Sequence, residues 1–434
     1  MSDHIFRPDR RAVVAGLAAT AWLRADGTAR AEQASSLSLR CKADVLQLME
    51  GGSGTAIWSL GDQALRFKRG DRPEITITND LPLPVALNWR GIDGVAAAEP
   101  LLVRSSLKPS ASETLQLPLR HAGTYLCDLA LLGDNAARPA RALPLIVGES
   151  ETVPVDRDET LLIEGWRLKP NGTALAPGVD ADGTTPVYTV NGQLTREIKA
   201  RGRERLRLRF INGLQRQVIA LKIEHHDVTV MALDGQPAEP FLARGGAFAL
   251  APGGRADVFI DVPPEAGSTP ILMHDGEAAR PIARLVTSDQ APIRTANLPA
   301  APALPSNGLP ARLDLKSALR ADLPIGGDAK DWLTPDTFKA TTPPAFRVKA
   351  GRAVVLSLIN RAQTTSIFHL HGHHFRHLDR LDDGWKPFWL DTIAIDAGQT
   401  QRIAFAAEFA GRFLLEAVEA NWKAPRRLRW YSVD

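Results

Sequence analysis

RLRLRFINGL, residues 205–214, alternates charged and apolar side chains for six positions and then closes on Ile-Asn-Gly. Such period-two alternation puts successive side chains on opposite faces of an extended chain, which is the signature of a strand. EITITNDL (74–81) and VVLSLINRA (354–362) have the same shape, each a strand that ends on Asn early in its own block of sequence. Three copies of strand-then-Asn predict three related domains. Between them lie further short apolar runs, such as ADVFIDV (256–262), separated by Gly, Pro, Asn and Asp. Helical periodicity is scarce. The expected class is all-β, with three consecutive Greek-key β-sandwich or barrel domains.

Two composition shifts cut the chain. One falls near residues 148–154, and the other is a Pro/Ala-rich stretch, residues 291–310, which reads as a stiff, extended linker. The expected domains are therefore 36–149, 152–290 and 311–434. A length of 434 residues suits that number. Net charge is only +3, and charged residues make up 23% without forming blocks, which gives no reason to expect nucleic acid as a partner.

At the N-terminus Arg10-Arg11 precede a mildly apolar stretch, and Ala29-Arg30-Ala31 supplies a small-residue cleavage pattern. Residues 1–31 thus read as a twin-arginine-type signal peptide, which predicts a periplasmic protein with no membrane span after signal removal. Of the two cysteines, Cys41 and Cys127, sequence permits either a pair in that oxidising compartment or two buried thiols.

Several stretches carry a resemblance. LNWRGIDG (87–94), HAGTYLCDLA (121–130), TVNGQ (189–193), ALDGQP (232–237), LAPGGRADVFID (250–261), SIFHLHGHHF (366–375), WLDTIAIDAGQT (389–400) and GRFLLEAVEANWKAPRRLRWYSV (411–433) follow one another as the signatures of the multicopper oxidase family do. The chain resembles that family, whose domains are cupredoxin-like, from about residue 38 to its end. The resemblance implies four H-x-H pairs around three copper ions and a blue-copper site of two His and one Cys. At the four pairs this sequence has Asn88 and Arg90, Asp128 and Ala130, His369 and His371, and Glu416 and Val418. At the blue-copper positions stand Ser366, Ala417 and Trp422, with Arg427 at the axial Met position. No Cys follows Cys127, so a shift in alignment restores no thiolate.

If the fold is kept, Asn88, Arg90, Asp128, His369, His371 and Glu416 should gather between the first and third domains. Arg90 opposes a metal ion there and should pair with Asp128 or Glu416. The alternative is a residual metal site, with His369, His371 and Glu416 (or Asp128) holding zinc or iron. His373, His374 and His377 extend the run, and odd positions share one face unless Gly372 breaks the register. His225-His226 reads as structural. No G-x-S-x-G, P-loop or C-x-x-C is present, and Ser366 near His369 is not a triad.

The leading expectation is a non-catalytic exported scaffold or binding protein, since copper-depleted relatives serve cell division and envelope integrity. Its expected partners are periplasmic proteins, divisome or envelope components among them, and the expected state is a monomer. No cofactor is expected, with copper at most at low occupancy. The alternatives are a multicopper oxidase-type oxidoreductase with a reduced metal site at His369/His371, and copper buffering by the His-rich strip.

Overall fold

The computed structural model describes residues 36–327, 329–379 and 384–434. The signal-peptide reading of residues 1–31 lies outside them. Strands dominate, and they form six sheets that pack as three two-sheet sandwiches. Among the described residues no helix is long and apolar enough to cross a membrane.

The three sandwiches repeat one arrangement. In each, the opening strand runs parallel to the strand that ends in Asn. Ser36–Leu46 pairs with Glu74–Asn79, Arg157–Leu168 with Arg205–Asn212, and Leu319–Ile325 with Ala353–Asn360. On its other side each Asn-ended strand pairs antiparallel with Ser112–Gln116, Arg255–Asp261 or Thr400–Ala406.

The asparagine explains why the pattern recurs. The Nδ2 of Asn79 donates to the carbonyls of Leu83 and Leu107, while its Oδ1 accepts from the Leu81 amide. Asn212 does the same with Gln217, Leu250 and Leu214. Asn360 does so with Thr364, Ile395 and Ala362. Leu107, Leu250 and Ile395 each lie five residues ahead of the antiparallel neighbour's first residue: Ser112, Arg255 and Thr400. One buried amide thus satisfies the backbone of a turn and pins it to the next strand.

Each sandwich has its own apolar core. Leu206, Leu208 and Phe210 supply one face of their strand to the second core. The opposite face is also buried, because it packs on the first domain. There Arg207 pairs with Asp257 and Glu149, and Arg209 pairs with Asp158 and Asp257 and donates to Thr124 Oγ1. Between the first and third domains an apolar cluster of Ala86, Leu102 and Leu131 meets Leu414, Leu428 and Trp430.

One expectation needs correction, and one open alternative is decided. Residues 291–310 are not a free-standing spacer. Leu304 packs under Met231 and Phe259. The buried Asn307 side chain bridges the first and second domains by bonding the Ala122 amide and carbonyl and Gln236 Oε1. The stretch is a strap held by buried contacts, and the first strand of the third domain begins only at Leu319. Cys41 and Cys127 are both free thiols in the core of the first domain. Burial pushes both up, Cys41 to about 12 and Cys127 well above the ordinary thiol value.

Candidate site between the first and third domains

Two strand pairs face each other where the resemblance places the cluster. Asn88–Arg90 pairs with Gly123–Asp128, setting Asn88 opposite Asp128. Ser366–Leu370 pairs with Gly411–Glu419, setting His369 opposite Glu416. Two sharp glycine turns shape the frame. Gly91, at φ +84, leaves room for the buried Arg255 guanidinium, which a Cβ would overlap at 2.2 Å. Gly372, at φ +74, is likewise pressed against the Phe413 ring.

Glu416 is the hub. Its Oε1 accepts from Asn88 Nδ2 at 2.6 Å and from His371 Nε2 at 2.7 Å. Its Oε2 accepts from Arg90 at 3.1 Å and from Arg426 at 2.5 Å. Arg90 also donates through Nε to Asp128 Oδ2 at 2.5 Å, so it pairs with both carboxylates rather than one. The other Asp128 oxygen accepts the Ala130 amide. Burial pushes the Glu416 carboxyl up, but Arg90 and Arg426 outweigh it and hold the group well below its usual range.

His369 and His371 are two residues apart, with rings 4.8 Å from centre to centre, and behave oppositely. His371 sits between carboxylates, with Nδ1 2.7 Å from Glu99 and Nε2 2.7 Å from Glu416. Burial lowers its pKa, but the two acids prevail and raise it to about 9. It is an imidazolium with both N–H groups donated. His369 has Nδ1 2.8 Å from Thr392 Oγ1, whose hydroxyl itself donates to Asp391 Oδ1. Nδ1 of His369 therefore carries the proton. Burial holds its pKa down at about 4, leaving a neutral ring whose buried Nε2 has no partner. Within this centre three carboxylates (Glu99, Asp128, Glu416) thus meet three cations (Arg90, His371, Arg426).

His369, His371 and Glu416 bring one ligand atom each within 4.8 Å of one another. The longer histidine strip does not form. The strand ends at Leu370, Gly372 turns the chain, and His377 joins a different sheet. His373 lies among the rings of Phe405, Phe409, Phe413 and Tyr431, accepting the Phe409 amide at Nε2 and donating from Nδ1 to Tyr431. His374 bonds Asp93 and the Asp234 carbonyl. His226 Nδ1 donates to the Glu224 carbonyl. Val418 and Ala130 line the small cavity beside Arg90.

At the blue-copper positions, Ser366 donates to Asn360 Oδ1, Ala417 is buried in the third core, and Trp422 donates to the Ala176 carbonyl. Arg427 faces Ala417 across the strand pair.

Sequence reasoning did not find Glu99, Arg426, Asp391 or Arg255. Arg426 had a signal, because an acid at position 416 calls for cations and PRRLRW offers two adjacent arginines. Glu99 had none. The Arg255 guanidinium bonds Asp391 through both terminal nitrogens, the Thr124 carbonyl through Nε and the Asp234 carbonyl through Nη2, joining all three domains.

Sequence-family models described as multicopper oxidase match residues 157–279 and 310–418, together just over half of the chain. The multicopper oxidase MmcO of Mycobacterium tuberculosis is 24% identical over 407 residues, covering 81% of this chain and 77% of that protein. Laccase-3 of Oryza sativa subsp. japonica is 25% identical over 232 residues, covering 45% of this chain and 38% of the laccase. Among solved structures, Lac15 from a marine microbial metagenome superposes with a TM-score of 0.77 at 23% identity, covering 92% of this chain and all of the other. A multi-copper oxidase from Pseudomonas thermotolerans has the same score at 22% identity, covering 92% of this chain and 99% of its own.

Proposed function

The chain belongs to the multicopper oxidase family, and from that premise we propose that it is a copper-depleted member that binds partners rather than oxidising substrates. One observation carries the reading: His371 is clamped between Glu99 and Glu416 with both ring nitrogens engaged. A metal ion needs a lone pair, and an imidazolium offers none. Glu416 already receives four hydrogen bonds, two of them from guanidinium groups. Arg90 and Arg426 repel any cation brought beside them. This donor set does not fit a copper cluster. At the former blue-copper site Ala417 offers no thiolate, the ligand that defines that site.

On this reading the protein is exported by the twin-arginine route to the periplasm and acts as a scaffold there, touching envelope or division proteins. The N-terminal pattern and the resemblance to copper-depleted relatives support it. Elemental analysis of mature protein isolated from its host should find far less than one copper per chain, with no blue absorption and only background oxidation of phenols or cuprous ion. Stoichiometric copper with turnover overturns the proposal. A fluorescent fusion that stays diffuse, with normal division in a deletion strain, removes the division role alone.

A single residual cation is a second reading, favoured by the unpartnered His369 Nε2 close to Glu416. Binding there would have to deprotonate His371. Equal zinc affinity in wild type and His369→Ala would dispose of it.

A further inference from the structure

The strap is fastened by a chain of side-chain amides that ends on a histidine. One backbone residue fixes the orientation of Asn307. Its Oδ1 accepts the Ala122 amide at 2.9 Å, and its Nδ2 donates to the Ala122 carbonyl at 2.8 Å. The same Nδ2 donates to Gln236 Oε1 at 2.9 Å, so the Gln236 amide cannot turn over without setting donor against donor. Gln236 Nε2 therefore faces His121 Nδ1 at 3.2 Å as the donor, and that ring nitrogen is the bare acceptor. The chain is consistent only while His121 is neutral.

A carboxylate competes for the same nitrogen. Asp93 Oδ2 lies 3.1 Å from His121 Nδ1, and the His121 side chain is 10% exposed, so the ring meets solvent. Burial pushes the Asp93 carboxyl up, but His374, which donates to both of its oxygens, and His121 outweigh it and hold it well below the usual range. A proton on His121 Nδ1 turns that nitrogen from acceptor to donor. It then bonds Asp93 and opposes the Gln236 N–H. Gln236 has to withdraw or turn over, and either movement breaks its bond with Asn307.

Other ionisable groups surround the ring. His374 is raised to about 9 by Asp93 against the effect of burial and stays charged. Glu408, from the third domain, is raised by burial and then by Asp93. Arg120 spends Nη1 on the Asp93 and Gly94 carbonyls, and the Tyr125 hydroxyl donates to the His121 carbonyl. Asp234, raised to about 6 by burial and Asp391, titrates nearby, but its carboxylate accepts the Arg255, Asp391 and Thr392 amides and no member of the chain. On either side of Asn307 the strap has ties that ignore pH. Leu304 packs on the second domain and Leu309 on the third, while Arg69 donates to the Ser306 and Asn307 carbonyls. Losing the Gln236 bond thus loosens the strap and leaves it attached.

We propose that His121 is a proton-operated latch: neutral, it holds Gln236 and through it Asn307; protonated, it takes Asp93 instead and loosens residues 304–310. The device involves no copper and does not rest on the function proposed above. Hydrogen exchange of the Ala122 amide, whose acceptor is Asn307 Oδ1, reads it in the full chain. Corrected for the intrinsic rate, protection of that amide should fall about tenfold between about pH 8 and pH 5, where imidazoles change charge, while the Ala362 amide of the third-domain corner keeps its protection. His121→Gln, which accepts from Gln236 and takes up no proton, should hold the protection constant. Gln236→Leu cuts the link between ring and strap and should also abolish the pH dependence, so it carries the test if His121→Gln does not fold. Unchanged Ala122 protection in the wild type would overturn the inference. So would an equal fall in His121→Gln or Gln236→Leu, which would assign the proton to Asp234 or Glu408.

Discussion

The three asparagine corners and the Glu416 centre are both polar and buried, yet they are built by opposite rules. In a corner, one neutral side chain bonds backbone groups of its own domain, and the local partners recur two residues on and four or five residues on in all three copies. Each bond contributes roughly 1 kcal/mol, and no corner depends on another. In the centre, charged side chains bond other side chains, and the partners come from two domains. Asn88 and Glu416 are 328 residues apart. A buried charge is tolerable only when matched, so every member there depends on the others. Backbone-directed polarity is modular and repeats, whereas charge-directed polarity is collective and takes a different form at each contact, as the Arg207 and Arg255 pairings also show.

The largest expected effect comes from breaking the hub. Glu416→Leu leaves Arg90, Arg426 and His371 without their common anion and should lower stability by about 3–5 kcal/mol, measured by urea denaturation. A loss below about 1 kcal/mol would mean that the centre is not collective.

Next is pH, on the order of a few kcal/mol. His371 and His374 are raised from 6.5 to about 9, since carboxylates overcome burial. Their contribution is complete below pH 6.5 and is lost as pH rises toward 9, because the folded state then holds protons that the unfolded state has released. His369 and His373 are lowered by burial to about 4, so their contribution is present above pH 6.5 and is lost as pH falls toward 4. These four groups together should give a stability maximum near pH 6.5, read as Tm across that range. His371→Gln should flatten the alkaline side, and an unchanged alkaline slope would show that its protonation is not what the clamp supplies.

The smallest effect belongs to the corners. Asn79→Ala, Asn212→Ala and Asn360→Ala should each cost about 2 kcal/mol. Hydrogen exchange should quicken only in the sandwich that carries the substitution. Protection lost equally in all three would erase the distinction drawn above.

Much of the fold was legible because its signals are local. Alternation in RLRLRFIN marks a strand whatever packs on it, and the repeated Asn marks where that strand must turn. The strap was misread because Pro- and Ala-rich composition reports stiffness and says nothing of the buried contacts Leu304 and Asn307 make. For the site, the family resemblance places Arg90, Asp128 and Glu416 together, and their pairing then follows from charge. Glu99 could not, because nothing in AAAEP indicates that its carboxylate meets an imidazole of another domain.

By itself, then, the sequence determined the period of the strands, the threefold repeat and the lack of any thiol beyond Cys127. These follow from neighbouring residues or from composition. Only the tertiary structure decided that His371 is charged while His369, two positions earlier on the chain, is neutral. The imidazoles are chemically identical, and the proton follows the acids that folding brings against each ring.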